Sequence, residues 1–512
     1  MVRKALTVAA CLLSSTAAQA AWQLASSDHF VVYDNDTPKN VEDFTRKLET
    51  LDRAMRVYHM VPDKRVSPSA RVTIFVLGDE GDVQRLAHIS SIAGVYNGRA
   101  GESVALVPRK TQEFSTMSLS PEAVLYHEYS HHFMFSSWGG IVFPKWYVEG
   151  FAEFHATAMF KPDGSIIFGA PANYRTFGVA RTDIMPANFL LRPDPGAMDD
   201  EDGNAFYGRS WLLTHYVLLD PTAKAQFQQY LTALNNGKPL AEAEAAFGGP
   251  SKVDAKLNDY VRHNFKSILL TPAQVPVGTV SVRPLTPGEA AVMPVLERSK
   301  AGVKVGAEAK EVAVLAERLA APFANDPAAQ NELAEAEYDA ENYPASEAAA
   351  DRARAADPKS VHALLYKGMA MQEQAEKAKS TDPKKWDEIR SWYLAANRAE
   401  TEDPLPLVLF YDSFLAAKQT PTKNAENGLL YAYVLAPFDM AVRMRAAKIL
   451  LQNNDLANAR TALKVVAYFP EGADGADVAK KILAALDKDG AKAALDAFPK
   501  PDDKKDSKDK AS

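Results

Sequence analysis

Apolar positions along the chain change their spacing three times. Between residues 30 and 108 they fall in short β-branched runs, FVVYD at 30–34, RVTIFVLG at 71–78 and ESVALVP at 102–108, bounded by Pro, Gly and Asp. Runs of that length and composition predict the strands of a small α/β sheet, with one helix over about 39–59. From Ser120 to about Phe265 the spacing becomes helical. Ser120-Pro121 offers an N-cap followed by proline at the first helical position, so a helix is expected to start there. A Pro- and Val-rich interval, TPAQVPVGTVSVRPLTPGE, then breaks the pattern and predicts a linker or a small β element across 266–308.

Beyond it the chain turns alanine-rich, helical and repetitive. Prolines at 327, 358, 404, 437 and 470 are 31, 46, 33 and 33 residues apart, and the long interval fits one repeat plus an insertion, KAKSTDPKKWDE. Each interval holds two amphipathic helical patterns with alanines at the packing positions. This layout resembles tetratricopeptide repeats, which stack helix pairs into a solenoid with a concave protein-binding surface. The tail PKPDDKKDSKDKAS is charged, carries almost no apolar residue and is expected to be disordered.

Composition narrows the class of protein. With 512 residues and 47% hydrophobic positions there is material for more than one core, and a net charge of −7 provides no basic field for nucleic acid. No run of roughly 18 or more apolar residues predicts a transmembrane helix. At the N-terminus, Arg3 and Lys4 precede an apolar stretch, Ala5 to Leu13, and then Ala18-Gln19-Ala20. That is the pattern of a cleaved secretory signal peptide at 1–20, so an exported, periplasmic or secreted product is expected. Cleavage removes Arg3 and Lys4, taking the formal charge to −9, and removes Cys11, the only cysteine. Val8-Ala9-Ala10-Cys11 also resembles a lipobox, but lipid anchoring at Cys11 ranks below simple cleavage. A mature chain without cysteine has no disulfides and builds any metal site from His and carboxylates.

One stretch offers such a site. HEYSHH at 127–132 lies in the second and third turns of the helix expected from Pro121. Residues four apart share a helix face, so His127 and His131 can turn two imidazoles toward one ion, with Glu128 beside them where a general base belongs. His132 is rotated about 100° off that face. An HExxH arises by chance in roughly one sequence in a hundred of this composition, so a further ligand decides the matter.

Downstream stands FPKWYVEGFAEFHATAMF, 143–160. Together, HEYSH and WYVEGFAEF resemble the signature of gluzincin zinc metallopeptidases, the class of the thermolysins and of the leucine and alanyl aminopeptidases. The resemblance implies Zn2+ held by His127, His131 and Glu149, with Glu128 as general base. It implies Glu153 as the carboxylate that supports a liganding histidine. Seventeen residues separate His131 from Glu149, one fewer than in the aminopeptidases, which leaves the reverse assignment, Glu153 as ligand, open. Tyr207, 58 residues after Glu149 in EDGNAFYGRSWLLTHYVLL, occupies the place of the aminopeptidase tyrosine that donates to the oxyanion, and Arg209 is a candidate substrate-binding residue. A buried core tyrosine is an equally good reading of Tyr207. ESVALVP with the preceding AGVYNGRAG could form a sheet edge for an extended peptide, although a plain structural strand is the simpler reading.

The expected protein is therefore α+β. A gluzincin-like unit at 21–265, a small mixed sheet plus a helical lobe, is followed by the 266–308 interval, an all-α repeat region at 309–495 and the tail at 496–512. The expected function is zinc-dependent peptide hydrolysis, with peptide or protein substrates and a protein partner for the repeats. The alternative is an envelope protein-binding scaffold whose peptidase-like unit is inactive.

Overall fold

The computed structural model describes residues 21–63, 66–90, 92–110, 120–180, 185–192, 200–469, 472 and 475–499. The expected signal peptide with Cys11, Pro470 and the tail from 500 lie outside the described residues. Among the described residues, nine strands form two sheets. The larger has the order β4-β5-β3-β2-β1-β9, from β1 (Gln23–Ser26), β2 (Phe30–Asp34), β3 (Val72–Leu77), β4 (Val95–Arg99), β5 (Glu102–Pro108) and β9 (Ser281–Pro284). β2, β3 and β5 run parallel, while β1, β4 and β9 pair antiparallel. The smaller sheet is β6 (Met159–Phe160), β7 (Ile166–Phe168) and β8 (Ile268–Leu270). ESVALVP is thus an interior strand, and the sheet edge is β4, drawn from VYNGR just before it.

Near-continuous apolar runs mark strands buried on both faces, and that is the case here. Side chains alternate along β3 and β5: Val72, Ile74, Val76, Ala105 and Val107 enter the main core, whereas Phe75, Leu77, Val104 and Leu106 enter a second one. The main core is closed by α1 (Pro38–His59), and the second by α2 (Glu80–Ala87) together with Met293 of α11 (Pro287–Ala301). The segment 266–308 therefore does more than link: it adds β8 to one sheet, β9 to the other and a helix to the second core.

The helical lobe comprises α3 (Pro121–Ser137), α4 (Lys145–Ala156), α5 (Thr176–Ala180), α6 (Ala187–Leu191), α7 (Asp200–Leu219), α8 (Pro221–Asn235), α9 (Leu240–Glu244) and α10 (Pro250–Tyr260). α4 packs between α3 and α7. Gly150 allows this, because a Cβ there would collide with Thr214 Oγ1 and the Ser210 carbonyl of α7.

After α12 (Ala307–Ala320) come the pairs α13 (Pro327–Asp339) with α14 (Tyr343–Ala356), α15 (Val361–Lys377) with α16 (Pro383–Ala399), α17 (Pro404–Ala416) with α18 (Lys423–Leu435), and α19 (Met440–Gln452) with α20 (Leu456–Ala467). A long α21 (Ala476–Asp496) closes the series, and each helix packs on its neighbours. The insertion KAKSTDPKKWDE, at 377–388, spans the turn between α15 and α16, and these helices are longer, with 17 residues each against 13 and 14 in the preceding pair. α11 packs on α12 and α13, so helical stacking begins at Pro287 rather than 309.

The repeats lie against the first half of the chain. The Ser69 N–H donates to the Glu400 carboxylate (2.8 Å), the Ala100 N–H to Asp439 (2.9 Å), and Arg443 Nη2 to the Gly139 carbonyl (2.5 Å). Phe469 and Phe438 reach the HEYSHH helix, with ring centroids 5.0 Å from Phe135 and 5.6 Å from His132.

Candidate metal centre

α3 starts as its sequence requires. Ser120 Oγ accepts from the Ala123 N–H (3.1 Å), Pro121 occupies the first turn, and the helix runs on to Ser137. This places HEYSHH mid-helix, flanked by α4. In α4 every residue from Trp146 to Ala156 is buried, including Glu149 and Glu153. Two carboxylates on a wholly buried helix are costly unless each meets a partner.

Each meets a different one. Glu149 Oε2 lies 3.5 Å from His127 Nε2 and 3.7 Å from His131 Nε2, and the two imidazole nitrogens are 3.1 Å apart. Ligand atoms at the corners of a tetrahedron with metal bonds of about 2.0–2.1 Å stand about 3.3–3.4 Å from each other. The observed edges lie within a few tenths of an ångström of that spacing. Two imidazoles and a carboxylate at this separation are of the type and size to hold a tetrahedral zinc with one position left over. Glu153 sits one turn on and approaches the other nitrogen, with Oε1 3.5 Å from His127 Nδ1. The two glutamates thus divide by position: Glu149 faces both Nε2 atoms, while Glu153 faces the rear of one ring.

Charge is unbalanced in the cluster. Burial pushes the Glu149 carboxyl up, but His127 and His131 outweigh it and hold it low, at about 2. Burial likewise works against a charged His127, yet Glu149, Glu153 and Glu128 raise it to about 9. Glu128 is pushed up to about 7, chiefly by burial, with His127 opposing and Glu149 adding to the rise. Among the described residues no Lys or Arg forms an ion pair with Glu149.

Two other groups of described His, Asp and Glu side chains bring ligand atoms within 4.8 Å of one another, His29–Asp52–Asp63 and Glu332–Glu335–His362. Both already hold a protein cation. Arg56 Nε is 2.6 Å from Asp52 and Arg53 pairs with Asp63, while Lys300 Nζ is 3.2 Å from Glu335.

The remaining candidates separate. Tyr207, on α7, has its ring centroid 6.1 Å from that of His127, within the cluster's neighbourhood. Arg209 is fully buried, with Nη2 3.5 Å from Asp254 of α10. That placement makes it part of the α7–α10 packing, and the substrate-binding role expected of it is withdrawn. His132 turns away toward β4, its Nδ1 2.5 Å from the Tyr96 hydroxyl, and burial drives its pKa down to about 3.

Two residues near the site were not anticipated. The Tyr174 hydroxyl donates to Glu153 Oε2 (2.8 Å), and Arg175 Nη2 and Nε donate to Glu153 Oε1 (2.8 and 3.1 Å). No spacing rule finds them, because they lie on a short turn before α5. The available signal was a demand: a glutamate on an apolar helix needs a buried donor.

No protein-family model matches the chain, and no curated protein matches it. Among solved structures, one match is a thermophilic TPR protein from Thermus thermophilus, at 14% identity and a TM-score of 0.29, covering 35% of this chain and 88% of that one. A TM-score of that size carries no weight for fold or function.

Proposed function

We propose that the chain is an exported zinc-dependent metallopeptidase of gluzincin type whose helical repeats, tetratricopeptide-like in period, bind a protein partner. The observation that carries this reading is the triangle of His127 Nε2, His131 Nε2 and Glu149 Oε2 at 3.1, 3.5 and 3.7 Å. Zinc held there supplies a Lewis acid that polarises a carbonyl and lowers the pKa of a water toward about 7. Glu128, poised near neutrality, takes a proton from the attacking water and returns it to the leaving amine. Glu153 fixes the ring orientation of His127. Tyr207, whose ring centroid lies 6.1 Å from that of His127, would donate to the oxygen on which negative charge develops, a contribution of about 2.7–4 kcal/mol in related chemistry. The outermost strand β4, next to the helix that carries HEYSHH, would suit an extended peptide adding as another strand. The charged, apolar and small-residue pattern of residues 1–20 supports export.

The test is metal content and peptide hydrolysis of the purified protein. Wild type is expected to hold one zinc and to cleave peptides in a chelator-sensitive way. Glu128→Gln should keep the zinc and lose at least about a hundredfold in kcat, and His127→Ala should lose the zinc. Wild type without stoichiometric zinc sinks the reading. Wild type with zinc but no hydrolysis across a broad peptide library favours the binding scaffold with an inactive peptidase-like unit.

A further inference from the structure

Arg175 touches the candidate site at two points, Glu153 and Tyr207. Its Nη2 and Nε both donate to Glu153 Oε1, at 2.8 and 3.1 Å, and that same oxygen is 3.5 Å from His127 Nδ1. Its Nη1 lies 3.3 Å from Asn204 Oδ1 on α7, and its guanidinium carbon sits 4.7 Å from the centre of the Tyr207 ring. Tyr174 secures the other Glu153 oxygen.

The backbone around Arg175 is held equally firmly. Gly178, three residues on, packs directly against α7: a Cβ on Gly178 would meet Ala205 and Asn204 backbone atoms at 2.8 Å, and one on Gly208 would meet Gly178 at 2.8 Å. A glycine-to-glycine contact therefore pins the Arg175 segment to the helix turn that carries Tyr207. One guanidinium then bridges α4, through Glu153, and α7, through Asn204 and Tyr207, and reaches α3 by way of the Glu153 oxygen that faces His127.

We infer that Arg175 is a positioning residue that sets the metal-facing orientation of His127 through Glu153 and, through its contact with the ring face, the place of Tyr207. The inference rests on the proposed zinc site. The chemistry needs an arginine: the planar fork gives Glu153 two donors while its face stays available to an aromatic ring, which a lysine ammonium cannot do at once. A plain structural salt bridge at this position would contribute to folding stability only. A positioning role also shows in the metal's affinity and in the coupling to Tyr207.

The experiment compares full-length wild type, Arg175→Met, Arg175→Lys and Glu153→Gln by competitive zinc titration, by the visible spectrum of the Co2+-loaded protein and by thermal unfolding. Partners that orient a metal-bound histidine are worth about 10–100-fold in metal affinity. Arg175→Met is expected to lose zinc affinity in that range, Glu153→Gln to match it, and Arg175→Lys to fall between, each with a shifted Co2+ spectrum. For hydrolysis, Arg175→Met should lower kcat with little change in KM, and its combination with Tyr207→Phe should cost less than the two single losses together. Folded Arg175→Met and Arg175→Lys proteins that bind zinc within about twofold of wild type, with unchanged Co2+ spectra, overturn the inference, since orienting partners act well beyond that range. If Arg175→Met does not fold, Arg175→Lys and Glu153→Gln decide by the same readouts. Wild type that binds no zinc refutes the proposed function instead. Wild type that binds zinc without hydrolysing peptide leaves the affinity and spectral comparison to decide the role of Arg175.

Discussion

Two buried clusters of carboxylates and imidazole lie in different halves of the chain, and they balance their charge differently. In the repeat region, Glu335 accepts from His362 Nε2 (2.8 Å) and pairs with Lys300 (3.2 Å), which also reaches Glu102 of β5 (3.0 Å). There the protein supplies its own cation, and the cluster joins α11, α13 and α15 to the sheet. In the helical lobe, Glu149 faces two imidazoles at 3.5 and 3.7 Å with no Lys or Arg in ion-pair range among the described residues. Similar residue types therefore give a lysine-neutralised ion-pair network in one place and a cluster of carboxylate and imidazoles alone in the other. The presence of an ammonium, more than the acid–imidazole count, tells the two apart.

The largest expected effect comes from removing that ammonium. Lys300→Met leaves Glu335 and Glu102 without their counter-charge, and unfolding in urea should show a loss of about 3–5 kcal/mol. A loss under about 1 kcal/mol, the range of an exposed pair, would mean the network is not held by charge and would erase the contrast. Histidines without a carboxylate neighbour sharpen it from the other side. His155 and His215 are fully buried; Nδ1 of His155 is 2.8 Å from the Phe151 carbonyl oxygen, and Nε2 of His215 is 3.1 Å from that of Lys266. Burial pushes them down, to about 3 and about 4. A depressed imidazole stays neutral in the fold while the unfolded chain takes up the proton below about pH 6.5, so stability falls as pH drops from there toward about 4. By about pH 5 the two should together cost about 4 kcal/mol, read as unfolding free energy against pH, and His215→Gln should flatten the slope.

Zinc itself should act on one cluster only. At about a hundredfold excess over its Kd it should stabilise the fold by about 2.7 kcal/mol. This thermal shift should vanish in His131→Ala and persist in His362→Ala, and the reverse pattern would move the metal site to the repeats. The smallest effect concerns the start of the helix that carries HEYSHH. Ser120→Ala removes the cap on α3 and should cost about 1 kcal/mol by chemical unfolding.

Much of this was readable in the residues alone because the relevant physics is local. A histidine and another four residues on share a helix face whatever surrounds them, and Ser-Pro starts a helix by satisfying its own orphan amides. The repeat period survived because each helix pair meets the next in the same way, and the insertion at the α15–α16 turn goes with longer helices without breaking the stack. Other elements depended on distant chain segments. β8 and β9 are short strands whose partners, β7 and β1, come far earlier in the chain, so nothing near them declares a sheet. Arg209 looked available for substrate because it lies close to Tyr207 along the chain, yet helix positions two apart point about 200° apart, and its own faces the core.

The sequence by itself determined the side-chain types at 127–132 and 149–153, their helical spacing and the alternation of strand, lobe and repeat, since these follow from side-chain chemistry and the periods of helix and strand. Only the tertiary structure decided that Glu149 rather than Glu153 faces both Nε2 atoms, that Arg175 answers Glu153, and that the repeats pack against the helical lobe. Those outcomes depend on how closely α4 approaches α3 and α7, a distance that Gly150 permits and no local pattern encodes.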